Sequence, residues 1–313
     1  MVEIKEIGNN NYYTGGLNVQ NAAPLKQGKD TTSKPLPDFE IGKKFTTRVA
    51  EQDATRFEHN YVQFSNPPKC NLKALQLKNN PYKLEIILKY MDAVPQKWGE
   101  NVPGVISKVE AKEKAIALTF DACSGKGGYD EKLINFLIKN KIPATLFLNS
   151  HWIDKNPEIA KKLAQNPLFE IENHGTGHKP LSVNGKSAHE IQGTQNVAEA
   201  YDEIENNAKK IEKLTGHRPK FFRPGTAFCD EVGVKIAEDL GQKIAGFSLL
   251  GDAGATYSKS QIEQKLSKAK SGDIAIFHMN KPQGDTAEAL IEYLPELKKQ
   301  GFKFVRLDQV QTQ

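Results

Sequence analysis

An α/β barrel built from βα units, preceded by an N-terminal extension, is the fold this 313-residue sequence predicts. Beyond about residue 110, short apolar runs alternate with helical stretches, which is the pattern of a parallel sheet or barrel. Three of those runs also stop on a residue able to do chemistry. Ala115-Ile-Ala-Leu-Thr-Phe stops on Asp121, Phe169-Glu-Ile-Glu-Asn on His174, and Asp273-Ile-Ala-Ile-Phe on His278. Reactive side chains in barrels sit at the C-terminal ends of strands, so these three stops belong on one rim.

Residues 1 to about 68 are rich in Asn, Gln, Lys, Thr and Pro without a sustained apolar period, and they read as loops, short strands or a wrapping extension. From 81 to 94, Leu84, Ile87, Leu88 and Met91 fall at helical spacing and predict one amphipathic helix ending near Pro95. The expected division is an extension or small accessory domain, 1–105, and a catalytic domain, 106–313. Seven strands are expected, at 115–121, 144–149, 169–173, 221–223, 243–249, 273–278 and 302–307. Intervening helices include 129–140 and 187–214, the latter stopped by Gly216.

A chain of this length accommodates one large catalytic domain and a smaller appendage. Its net charge of +5 comes from 43 basic against 38 acidic residues without a long Lys/Arg block. Such a balance gives a solvated, mildly basic surface, or attraction to an anionic polymer such as a cell wall, and no nucleic-acid motif accompanies it. No apolar stretch approaches the roughly 18 residues needed to cross a bilayer, so no transmembrane segment is expected. Met1-Val-Glu-Ile-Lys-Glu lacks the apolar region of a signal peptide. A Met standing where an export signal was removed is compatible with it. The expectation is an exported, periplasmic or extracellular protein, with the cytoplasm left open. Cys70, Cys123 and Cys229 are too few for a disulfide framework, though Cys123 and Cys229 each follow a candidate site motif and are open to bridging in an oxidising compartment.

The stretch Glu170-Ile-Glu-Asn-His-Gly-Thr-Gly-His178 sets two imidazoles four residues apart in a Gly-punctuated turn, which suits a divalent transition metal, zinc best. A helical HEXXH metalloprotease motif is excluded, because Gly175 and Thr176 follow His174 where that motif needs Glu. A metal site, a nearby carboxylate and a more distant histidine are the parts of metal-assisted hydrolysis. The lesser reading of Asp121 at a strand end is a cap on the following turn, and of Arg223 an ordinary ion-pair partner. His59, His151, His189 and His217 have no such context and read as surface or packing residues.

Together these motifs resemble a polysaccharide deacetylase of the NodB-homology type, carbohydrate esterase family 4, from about 114 to 307, two thirds of the chain. Thr119-Phe120-Asp121-Ala122-Cys123-Ser124-Gly125 is similar to the family's TFDDG motif and implies Asp121 as catalytic base. His174 and His178 match its HxxxH metal ligands. Phe222-Arg223-Pro224 matches the third motif and implies that Arg223 orients the base. Leu250-Gly-Asp252-Ala-Gly lacks the Trp of the fourth motif, and only Asp252 carries over, as the residue holding His278. Ile276-Phe277-His278 matches the fifth, with His278 as general acid. Ala122 departs from the pattern, standing where most members place a second Asp as third metal ligand. Asp121, water, Asn173 or Cys123 is left to complete the shell, and Asp121 or water is the favoured choice, giving the expected metal set His174, His178 and Asp121.

The resemblance implies a distorted (β/α)7 barrel of the NodB type and a divalent metal, zinc first. It also implies hydrolysis of acetamide groups on N-acetylated amino sugars of a polysaccharide. Peptidoglycan is the first expected substrate, with chitin and poly-N-acetylglucosamine open. Two alternatives accompany this reading: a catalytically degenerate glycan-binding deacetylase fold, and an acetyl-xylan-type esterase.

Overall fold

The computed structural model describes residues 80–110, 113–123 and 126–312, so the loop-rich stretch expected up to residue 68 lies outside the described residues. In chain order the elements begin with α1 (Pro81–Tyr90), β1 (Trp98–Gly99), β2 (Val109–Glu110), β3 (Ala115–Ala122) and α2 (Glu131–Lys139). There follow β4 (Ala144–Leu148), α3 (Ser150–Lys155), α4 (Pro157–Ala164), β5 (Phe169–Asn173), α5 (Val197–Thr215) and β6 (Phe221–Phe222). Next come β7 (Cys229–Asp230), α6 (Glu231–Asp239), β8 (Lys243–Ile244), β9 (Leu249–Leu250) and α7 (Lys259–Leu266). The chain closes with β10 (Asp273–His278), α8 (Thr286–Lys299), β11 (Lys303–Val305) and β12 (Gln311–Thr312).

The main sheet runs β8-β6-β5-β4-β3-β10-β9, with β11 also paired to β3, and its pairs are parallel. This is the expected α/β architecture, a parallel half-barrel of strands with helices. Strand β3, Ala-Ile-Ala-Leu-Thr-Phe-Asp-Ala, is buried at all its positions. The two-residue period of a strand divides it between two cores. Ile116, Leu118 and Phe120 pack with Leu133 and Leu137 of α2 and Leu290 and Leu294 of α8. On the other face, Ala117 joins Phe147, Phe221, Ala245, Ile274 and Leu307 in the barrel interior. Thr119 and Asp121 continue that interior row toward the C-terminal rim.

Three expected elements differ, the first being the helix expected over 81–94, which ends at Tyr90 and leaves Met91 exposed. The helix placed at 187–214 begins only at Val197, where the side chain of Asn196 caps it by accepting from the Glu199 N–H. His189 and Glu190 adopt left-handed backbone (φ 49° and 64°), which no helix tolerates. The run 243–249, expected as one strand, is instead β8 and β9 at opposite edges of the sheet. Between them the carbonyls of Ala245 and Gly246 accept from the Arg223 guanidinium rather than from a strand. Helix α1 places Ile86 and Tyr90 in a second core cluster with Tyr201, Ile204 and Ile236 of α5 and α6.

Candidate active site

Asp121 and His278 are paired partners across β3 and β10, so the ends of two adjacent strands bring them to one level. Asp121 Oδ1 accepts from Arg223 Nη1 at 2.7 Å, and both side chains are almost fully buried. The guanidinium is itself held by Thr119 Oγ1, Ala245 O and Gly246 O, at 3.0, 3.1 and 3.0 Å, and lies over the Phe147 ring. Its donors are spread over fixed acceptors, which a flexible lysine could not reproduce. Burial works to raise the Asp121 carboxyl, but the charge of Arg223, with the nearby imidazoles behind it, outweighs it, and the group sits below its ordinary value.

His174 follows β5 directly and is 1% exposed. Its Nδ1 lies 2.8 Å from the Arg223 carbonyl, which can only accept, so Nδ1 carries the hydrogen and Nε2 keeps its lone pair. That Nε2 is buried without a hydrogen-bond partner. It stands 3.6 Å from Asp121 Oδ2, beyond hydrogen-bond reach. The His178 ring meets the His174 ring edge-on with centroids 4.8 Å apart. Burial, and next the neighbouring His174, push His178 down to about 3, and burial lowers His174 as well. Both imidazoles are therefore neutral at neutral pH, the form that binds a metal.

The turn bearing this pair is clasped from α5. Glu203 Oε2 accepts from Gly177 N at 2.8 Å and Oε1 from Lys179 N at 3.1 Å, while its backbone carbonyl accepts from Thr176 N. Gly175 (φ 77°) lies so close that a Cβ would fall 2.3 Å from Glu203 Oε1. Asn149, at the end of β4, donates to the carbonyls of His174 and Gly175.

On the facing side, His278 Nδ1 lies 2.8 Å from Asp252 Oδ1, and Asp252 Oδ2 accepts from the His278 N–H at 2.7 Å and from Thr286 Oγ1 at 3.0 Å. Burial works to lower the His278 imidazole, but the Asp252 carboxylate, with Asp121 behind it, outweighs that and holds it above its ordinary value. The side chain is poised to hold a proton and present Nε2.

Cys123 completes the rim. Its sulfur, His174 and His178 each offer a ligand atom, and these atoms lie within 4.8 Å of one another, the one such group of three among the described residues. Burial first and Asp121 second push the Cys123 thiol up to about 11. Cys123 and Cys229 are both free thiols, so the bridge left open by the sequence is not formed. Cys229 is buried in the second core cluster. His151, His189 and His217 are exposed, and His59 lies outside the described residues.

The structure thus brings Asp121, His174, His178, Arg223, Asp252 and His278 to one end of the sheet. Glu203, Asn149, Thr286 and Asn280 were missed from sequence. Glu203 had one signal, a carboxylate beside the apolar positions Ala200, Ile204 and Ala208 of a helix face. The donor set fits a divalent metal: two neutral imidazoles, one with an orphaned buried nitrogen, and a thiol close to both.

A family model for polysaccharide deacetylase matches residues 108–245. The chain is 27% identical over 228 residues to the peptidoglycan-N-acetylmuramic acid deacetylase PdaA of Bacillus subtilis, covering 68% of this chain and 80% of PdaA. It is 28% identical over 207 residues to a peptidoglycan-N-acetylglucosamine deacetylase of Bacillus cereus, covering 65% of this chain and 91% of that protein. The solved structure of Bacillus subtilis PdaA, a family 4 carbohydrate esterase, is similar with a TM-score of 0.54 at 26% identity, over 72% of this chain and 87% of that one. BA3943 of Bacillus anthracis, a family 4 pseudoenzyme, is similar with a TM-score of 0.57 at 24% identity, over 67% and 69% of the two chains, a likeness of fold alone.

Proposed function

This chain belongs to the polysaccharide deacetylases of carbohydrate esterase family 4, and we propose that it is a metal-dependent hydrolase removing acetyl groups from N-acetylated amino sugars of peptidoglycan. One observation carries the reading. An ionised carboxylate, a neutral histidine pair with a free lone pair, and an imidazole held by a second carboxylate share one strand rim.

His174 and His178 would hold the metal, which when bound supplies Lewis acidity toward the acetamide carbonyl. Asp121, kept ionised by Arg223, takes the proton of the attacking water through its Oδ2, the oxygen Arg223 leaves free. His278, kept protonated by Asp252, delivers a proton from Nε2 to the departing sugar amine, without which the tetrahedral intermediate would expel water again. Arg223 and Asp252 act through the groups they hold. The proposed catalytic domain is 106–313, with 1–105 as an extension or small accessory domain.

Two relatives named for the two sugars of one polymer support peptidoglycan as the proposed substrate. The net charge of +5 suits an anionic wall, and the proposed location is the cell envelope. Muropeptide mass spectrometry after incubation with purified peptidoglycan tests this. Loss of acetyl from muramic acid or from glucosamine names the sugar. Turnover confined to chitin, poly-N-acetylglucosamine or acetyl-xylan would replace peptidoglycan as substrate. Ala122, in the place of the family's second Asp, favours a second reading, a glycan-binding fold without turnover. Saturable glycan binding by zinc-loaded protein that releases no acetate would select it.

A further inference from the structure

We propose that Cys123 is the third protein ligand of this metal centre, as a thiolate, so that the chain holds its ion through two imidazoles and one sulfur and leaves Asp121 free of the metal. The inference rests on the metal-dependent reading above and changes which residues carry it.

Four observations converge. Position 122 offers no donor, since Ala122 is fully buried in the core between sheet and helices. The next residue brings its sulfur among the two imidazole nitrogens, all within 4.8 Å. His174 Nε2 is buried without a partner and has its tautomer fixed by the Arg223 carbonyl, so a lone pair is already aimed at the space the three residues share. Asn280, two residues beyond His278, anchors Cys123 itself: its amide donates to the Cys123 carbonyl and reaches the sulfur at 3.7 Å. An N–H directed at sulfur stabilises a thiolate, the kind of outer partner that metal ligands carry.

Asp121 is the competing candidate. Its Oδ1 is committed to a guanidinium held by three further acceptors. Binding a metal through the remaining oxygen would take away the lone pairs needed to accept a proton. With sulfur as ligand, the S–H bond breaks as the S–metal bond forms, and the proton leaves to solvent. Three protein ligands and one open position are the arrangement of catalytic zinc sites. A soft sulfur also selects zinc or cobalt over magnesium and calcium, which take oxygen ligands.

The test uses the full chain, stripped of metal and reloaded with cobalt(II) or zinc. The expected result is a near-ultraviolet sulfur-to-cobalt charge-transfer band, absent in Cys123→Ser and kept in Cys70→Ala and Cys229→Ala. X-ray absorption of the zinc form should show one sulfur at about 2.3 Å. Zinc affinity of Cys123→Ser, read by competition with a chromophoric chelator, should fall by more than the roughly 10- to 100-fold that loss of an outer partner costs. A cobalt protein with visible d–d bands but no charge-transfer band, and Cys123→Ser with unchanged zinc affinity, would overturn the thiolate and leave the deacetylase reading standing. Failure of the wild type to bind zinc or cobalt at all would overturn both.

Discussion

Strands β3 and β5 both bury carboxyl groups in one parallel sheet, and the two strands treat them oppositely. At the end of β3 Asp121 faces Arg223 and sits below its ordinary value. Along β5, Glu170 and Glu172 accept from neutral donors: the Thr145 hydroxyl and the N–H groups of Asp308 and Phe221. Burial first pushes both upward, with the Asp308 carboxylate adding to it at Glu170 and the Glu170 charge adding to it at Glu172, which stands well above its usual value. Burial without a cation nearby therefore raises a carboxyl group. An enclosed cation makes a charged one available for chemistry.

Breaking the charged site at the end of β3 should have the largest effect. Asp121→Asn should lower kcat by about 10²–10⁴-fold, the usual contribution of a general base, while bound zinc, read by elemental analysis, stays stoichiometric. Arg223→Met leaves Asp121 buried without its cation. Urea unfolding should show a loss of about 3–5 kcal/mol, the cost of stranding one member of a buried pair. Asp252→Asn removes the carboxylate that raises His278. Because His278 must be protonated to act, the alkaline limb of the kcat profile should move to lower pH.

The smallest effect is expected at the glutamates of β5. A folded-state value raised above the unfolded one gives stability that is complete below the unfolded value and lost as pH rises through the folded one. Glu172→Gln should abolish that alkaline loss, seen as a flatter plot of Tm against pH above the ordinary carboxylate range, with activity at neutral pH unchanged. A large activity loss in Glu172→Gln would erase the distinction between the two strands.

What was legible in the sequence follows the same division. Asp121, His174, Arg223 and His278 could be read because each ends an apolar run, and strand ends of a parallel sheet meet on one rim whatever the loops do. The run 243–249 could not be read as two edges, since its break depends on Arg223, more than twenty residues earlier, satisfying the carbonyls of Ala245 and Gly246. Glu203 was hidden for a similar reason: its partners, the N–H groups of Gly177 and Lys179, reach it only when α5 docks beside the turn. Cys123 was visible as a candidate but set behind Asp121, because its neighbours His174 and His178 and its anchor Asn280 become adjacent only in the folded sheet.

The most direct test of the central claim is acetate release from purified peptidoglycan and from N-acetylglucosamine oligomers, comparing metal-stripped protein, protein with zinc restored, and zinc-loaded Asp121→Asn. The account predicts release that returns with zinc and is lost in Asp121→Asn. No release from either substrate by wild-type protein holding stoichiometric zinc would contradict it and favour a fold that binds glycan without turning it over.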